Sequence, residues 1–228
     1  MVIRGNRIAQ AGPRGKGAAP PGARVISTEG RTILPGFVDL HFHYSPSRTP
    51  WLPVQFLLNG VTTVRDMGNW IEHNRQALEK MRAAGLPLPR FLMSGPHLDG
   101  PDPAYPDDAI VLLDSLDAER ETNRLIDQGA TSIKVYFRLP LALMKTVLET
   151  AHARGVHVTG HLEMVDVREA VKLGLDGIEH ATSVGLALQP PREAERYRQA
   201  VLKSNDARRK GRYGVWEKVD VGSRQATE

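Results

Sequence analysis

The chain contains no cysteine. Disulfides, thiolate metal sites and a cysteine nucleophile are therefore excluded, and any metal must be held through nitrogen and oxygen. Nor does any run approach the ~18 apolar residues of a membrane span. The opening MVIRGNRIAQAG lacks the apolar core of an export signal. A cytoplasmic chain with no membrane partner is the expectation, although an upstream segment would undo the export half of that reasoning. Residues 1–191 carry no charge excess, with 20 Lys/Arg against 20 Asp/Glu. The formal net charge of +4 sits in residues 192–228, where ten Lys/Arg meet six Asp/Glu. Only Tyr197, Tyr213 and Trp216 supply aromatics there, without a recognition motif. This tail reads as a solvated helix or a disordered end, and nucleic acid is not an expected partner.

What is present suits a folded enzyme. The 228 residues are 41% hydrophobic, enough for one large domain, and 16 Pro and 21 Gly suit many short loops. Val2-Ile3 and Arg7-Ile8 flank Gly5-Asn6, a hairpin signal. A Gly/Pro/Ala-rich loop at 11–23 and a short strand at Val25-Ile26 follow. From Pro35 short apolar runs alternate with helical patterns. Strands are expected at 36–40, 61–65, 90–94, 132–137, 156–160 and 176–179. Helices are expected at 52–59, 70–84, 116–128, 141–154 and 165–173, with Asp117 capping the third and a Pro/Asp-rich loop at 96–108. The unit of about 26 residues argues a parallel sheet with right-handed crossovers, in an open or a barrel form. After Leu188 the pattern fails. Residues 192–210 are polar and helical at most, and 214–221 make at best one weak strand.

The histidines choose between the two forms. His41 and His43 end the strand Gly36-Phe37-Val38-Asp39-Leu40, and alternation sends both imidazoles to one side and Phe42 to the other. Alone, this pair also fits a polar strand end. Lys134 lies inside the apolar strand Ser132-Ile133-Lys134-Val135-Tyr136, where a lysine is costly unless paired, neutralised or modified. The alternative is an edge lysine reaching solvent along its stem. His161 and His180 each end a later strand, where a lone histidine could equally be a hydrogen-bonded rim residue. In a parallel barrel all these strand ends converge on one face. His97 and Tyr136 follow strands three and four and could reach substrate. His73, His152 and His157 point elsewhere and are assigned structural roles.

Leu34-Pro35-Gly36-Phe37-Val38-Asp39-Leu40-His41-Phe42-His43 resembles the signature of the metal-dependent amidohydrolase superfamily. Gly60 to Gly68, Gly129 to Val135, Gly160-His161 and Gly177-Ile178-Glu179-His180 resemble its later motifs, in order, in the imidazolonepropionase-like and prolidase-like branch. The resemblance covers about residues 1–188. It implies an α/β fold, a partial (β/α)8 TIM-type barrel of about six units preceded by short β-sandwich strands. The implied division is a sandwich segment 1–35, a catalytic barrel 36–190 and a basic polar tail 191–228. It further implies that His41 and His43 bind the more buried of two divalent metals and that His161 and His180 bind the second. Lys134, carbamylated by carbon dioxide, would bridge them. Zinc suits these ligands, with manganese or cobalt as alternatives. Metal-activated hydroxide would attack a small-molecule amide, cyclic amide or dipeptide, with Lys134, His161 and His180 as the catalytic set and His97 and Tyr136 as substrate contacts.

The resemblance also implies an aspartate at the end of an eighth strand, which shuttles the proton from water. No eighth strand is legible. Asp206 lies in a basic helical stretch, and Asp220 alone has a strand-like context in the tail. Two further readings therefore stand beside the hydrolase of C–N bonds. One is an inactive truncated remnant or interaction module, which an oligomer or complementing fragment would complete. The other is a lactone or phosphotriester hydrolase on the same dimetal site.

Overall fold

The computed structural model describes residues 1–13, 19–220 and 222, in two compact units, 1–35 and 36–228. In the first, β1 (Val2–Arg4) and β2 (Arg7–Gln10) form the expected antiparallel hairpin, with Gly5 at φ +60° in the turn. The strand expected at Val25-Ile26 does not form. Both residues are exposed and unassigned, because two β-branched residues make no strand without a neighbour to share a ladder. Residues 14–18 of the expected loop lie outside the described residues.

The second unit alternates strands and helices. In order they are β3 (Phe37–Phe42), α1 (Leu52–Leu58), β4 (Val61–Asp66), α2 (Ile71–Ala83), β5 (Arg90–Met93), β6 (His97–Asp99), β7 (Ala109–Val111) and α3 (Ser115–Asp127). Then come β8 (Ser132–Val135), α4 (Leu141–Ala153), β9 (His157–Gly160), α5 (Val167–Lys172), β10 (Gly177–Ile178), α6 (Pro191–Lys203) and α7 (Asn205–Glu217). Two parallel sheets result, β3-β4-β5 and β10-β9-β8-β6-β7. They are stitched where the Thr131 amide, just before β8, donates to the Met93 carbonyl of β5 at 2.8 Å, while Tyr136 N, just past β8, donates to Leu98 O of β6 at 2.8 Å. β5 and β6 are thus two halves of one path, broken at Gly95, whose φ of +75° favours glycine. The core lies between the sheets and α3, α4 and α5, with Leu98, Leu125, Ile133, Met144 and Val158 each fully buried.

Four expectations need correction. Residues 97–99, read as loop, form β6, because each is buried and their backbone finds partners on both β7 and β8. α3 is capped by Asp114, not Asp117. The Asp114 carboxylate accepts from Asp117 N at 2.8 Å while Asp117 accepts from Leu113 N at 3.2 Å, a reciprocal box. The described part of the tail is not a solvated end. α6 and α7 bury Tyr197, Val201, Arg208 and Val215 against Phe137 and Leu186, and Ser204 caps α7 by accepting from Ala207 N at 3.1 Å. Of the weak strand expected at 214–221, residues 214–217 are instead helical and Asp220 lies outside any strand, while residue 221 lies outside the described residues.

Candidate functional site

Side-chain alternation along β3 acts as the sequence suggests. Phe42 turns inward against Phe56 and Phe91, at 4.9 and 5.6 Å between ring centroids. His41 and His43 turn the other way, and their Nε2 atoms stand 3.3 Å apart. From there the rings run on across strand ends that are distant in sequence. His41 lies 4.4 Å from His180, His180 4.8 Å from His161, His161 5.0 Å from Tyr136, and Tyr136 4.1 Å from His97. Lys134 is 1% exposed in the middle of β8, with its Nζ 6.0 Å from the Tyr136 ring. All seven residues singled out from the sequence are therefore brought together. His73 stays on the exposed face of α2, and His152 and His157 pair with Asp176 at 2.8 and 3.2 Å, away from the cluster.

Two local features shape the cluster. His180 has φ +65° and ψ 136°, a conformation costly for a side-chain-bearing residue, and such strain tends to collect at functional sites. Gly68 lets His43 pack closely, since a Cβ there would meet His43 Nδ1 at 2.9 Å.

Burial disfavours the charged form of four of the rings, His43, His97, His161 and His180. His43 has open surface yet stands deep among protein atoms. This desolvation, followed by the His41 and Lys134 charges, pushes it down to about 4. Burial and then the His161 and His41 charges take His180 to about 4, and burial with Lys134 takes His97 to about 3. Burial also lowers His161, against the pull of Glu163. Neutral imidazoles keep a lone pair for a cation. Burial brings Lys134 down to about 8, so a fraction of its amine is free of its proton near neutrality. Burial works against ionisation of Glu179. The hydrogen bond from His41 and the Lys134 charge overcome it and hold Glu179 near 2.

The donor set fits a divalent cation. Two nitrogens bound tetrahedrally at about 2.0–2.1 Å stand roughly 3.3–3.4 Å apart, and the His41 and His43 pair shows this chord. Among the described residues, however, no three His, Asp or Glu side chains already form a finished metal-holding set. Carboxylates occupy the second nitrogens instead. Glu179 Oε2 meets His41 Nδ1 at 2.5 Å, and Glu163 Oε1 meets His161 Nε2 at 2.7 Å. Such carboxylate–histidine pairs fix ring orientation at metal sites.

Sequence reasoning passed over several members of the site. Glu179 also accepts from Arg65 Nη2 at 2.8 Å, which ties β4 to the end of β10. Glu163 had a legible signal, since it sits two residues past His161 and shares its side. Arg208 and Tyr197 had none, because they reach Glu163 from the tail. Tyr44 and Asp66 are not in the cluster. Tyr44 is buried with Val64 and Leu78, and Asp66 accepts from Tyr44 N at 3.0 Å and Asn74 Nδ2 at 2.5 Å. No helix among the described residues is long and apolar enough to cross a membrane.

Comparison with known proteins places these residues in context. The model of the Amidohydrolase family matches residues 32–195. An uncharacterised protein of Mycobacterium tuberculosis is 27% identical over 173 residues, covering 68% of this chain and 46% of that protein. The chain thus spans about half the length of the curated relatives it matches. A prolidase structure complexed with N-methylphosphonate-L-proline superposes with a TM-score of 0.62 at 19% identity, covering 93% of this chain and 67% of the other. An amidohydrolase structure gives 0.59 at 22% identity, over 73% and 52% of the two chains.

Proposed function

Because this chain belongs to the amidohydrolase family and is by that family a hydrolase-type enzyme, we propose that it is a metal-dependent hydrolase of C–N bonds in small amides, cyclic amides or dipeptides. Its parallel strands are read as about six units of a (β/α) barrel, with the site at their C-terminal ends. The observation that carries the reading is the 3.3 Å approach of His41 Nε2 and His43 Nε2 beside His180, His161 and buried Lys134.

His41 and His43 would hold one divalent cation, and His161 and His180 a second, with zinc suited to this donor set and manganese or cobalt also tolerated. A divalent cation in such a site lowers the pKa of water toward neutrality and polarises a carbonyl oxygen. Lys134 is suited to carbamylation. Its free amine attacks carbon dioxide, an N–C bond forms and one proton leaves, and the product offers oxygens where an ammonium offers only N–H. Glu179, held by Arg65, fixes the His41 ring through Nδ1 and leaves Nε2 to the site. Tyr136, whose phenol burial pushes up, stays protonated and can donate to a substrate oxygen. His97 contributes a neutral ring whose buried Nε2 has no hydrogen-bond partner among the described residues. The C–N bond class draws support from the prolidase among the fold neighbours.

Turnover of Xaa-Pro dipeptides and N-acyl amino acids by the zinc-loaded chain tests this reading. Hydrolysis above the buffer rate is expected, abolished in His41→Ala and Lys134→Ala. Turnover that survives both substitutions, or a wild-type rate equal to buffer, contradicts it.

A further inference from the structure

Glu163 and Arg208 form a buried ion pair between the end of β9 and the tail helix α7. The Glu163 side chain is 0% exposed and that of Arg208 3%. Glu163 Oε1 accepts from His161 Nε2 and from Arg208 Nη1, both at 2.7 Å, and Oε2 accepts from Tyr197 OH at 2.7 Å. Arg212 Nη1 stands 3.8 Å from Oε1. The Arg208 guanidinium lies 4.5 Å over the Phe137 ring, and its Nη2 donates to Tyr105 OH at 3.3 Å. Burying such a pair is costly, and a well-packed apolar pair of similar volume would stabilise the fold at least as well. A purely structural purpose therefore accounts poorly for it.

The local consequence is specific. Arg208, Arg212 and Tyr197 all face Glu163 as donors, which suits an ionised carboxylate, and an ionised carboxylate only accepts, so the His161 nitrogen that meets it must carry the ring proton. That fixes the Nε2–H tautomer and leaves the Nδ1 lone pair for the site. Arg208 supplies the charge that holds the carboxylate in this acceptor role, and Tyr197 secures the other oxygen.

We propose that Arg208 is a positioning residue, which acts through Glu163 to hold His161 in the Nε2–H tautomer with Nδ1 presented as a metal-binding nitrogen. The proposal deepens the metal-site reading above and rests on it. It makes the α6–α7 pair part of the site's machinery, although the sequence marks that segment only as a basic tail. Without Arg208 the carboxylate loses its fixed orientation, and the ring is free to exchange tautomers.

The test uses the full chain with ¹⁵N-labelled histidine. In the chelator-treated protein, two-bond ¹H–¹⁵N correlations should show His161 as the Nε2–H tautomer. Arg208→Met should give a tautomer mixture and weaken zinc binding about 10–100-fold in competition with a chromophoric chelator. Arg208→Lys should restore most of both. Tyr197→Phe should lower the Tm but leave the tautomer in place. A merely structural Arg208 would lower the Tm of Arg208→Met while tautomer and zinc affinity stay as in wild type, and that result overturns the proposal. If Arg208→Met does not fold, Arg208→Gln takes its place, with a tautomer mixture and weaker zinc binding expected, and an unchanged Nε2–H ring with wild-type zinc affinity decisive against. Wild type that binds no zinc sinks the metal-site reading separately, while the tautomer comparison still decides the role of Arg208.

Discussion

At the scale of single residues, the site carries costs that the fold bears elsewhere. His180 at φ +65° is the clearest. Strain of this kind costs about 1–3 kcal/mol, and glycine, which escapes it, has an entropic penalty of about 0.5–1 kcal/mol. In the metal-free chain, His180→Gly should therefore be more stable than His180→Ala by about 1 kcal/mol in urea denaturation. The opposite order would show that no strain resides there. Asp66, outside the cluster, carries a different cost. Its carboxylate is 0% exposed, and burial raises it to about 6 against the hydrogen bonds from Tyr44 and Asn74. The folded state then binds more protons than the unfolded state between about pH 4 and 6. Asp66 thus contributes stability that is present below pH 4 and lost as pH rises through 6. Wild type minus Asp66→Asn, followed by urea denaturation across that window, should show the loss, and a flat difference would count against it. His41, His43, Lys134, His161 and His180 were legible because strand alternation and strand-end position constrain them. Arg208 and Tyr197 were not, because the pairing that gives them meaning spans 45 and 34 residues of sequence.

At the scale of elements, periodicity located the parallel strands and their helices well and misjudged their ends. The region 96–108 reads as loop because Pro and Asp dominate it, yet β6 forms where its backbone can pair on both sides. α3 shows how two acids three residues apart mislead. Asp114 and Asp117 cap reciprocally, so either looks like the N-cap from sequence. Asp114→Ala should cost about 0.5–2 kcal/mol of stability by chemical denaturation. A cost no larger than that of an exposed mid-helix alanine substitution would remove Asp114 from the role. The tail failed for another reason. Its apolar residues Tyr197, Val201 and Val215 are too few to mark a buried face, and of their packing partners Phe137 lies far back in sequence, past β8, and Leu186 on the short 3-10 helix Ala181–Leu188.

At the scale of the whole molecule, the first strand of the parallel series, β3, meets the end of the last, β10, through His41–Glu179, and β4 joins them through Arg65–Glu179. Along the rest of β3, however, Phe37, Val38 and Leu40 are 67%, 55% and 54% exposed. An apolar strand edge of this kind invites pairing with another chain. Concentration-dependent self-association is expected in sedimentation, reduced by Val38→Lys, and association insensitive to that substitution would place the contact elsewhere. The proposed metal site depends on none of this, because its ligands would all lie within residues 41–180. Metal content after reconstitution with zinc and bicarbonate, measured by elemental analysis of wild type, His41→Ala and Lys134→Ala, is the most direct test. The expected result is zinc retained by the wild-type chain through gel filtration, lost in His41→Ala, and reduced in Lys134→Ala or when bicarbonate is withheld. A folded wild-type chain that emerges without zinc, or zinc retained equally by all three proteins, would contradict it.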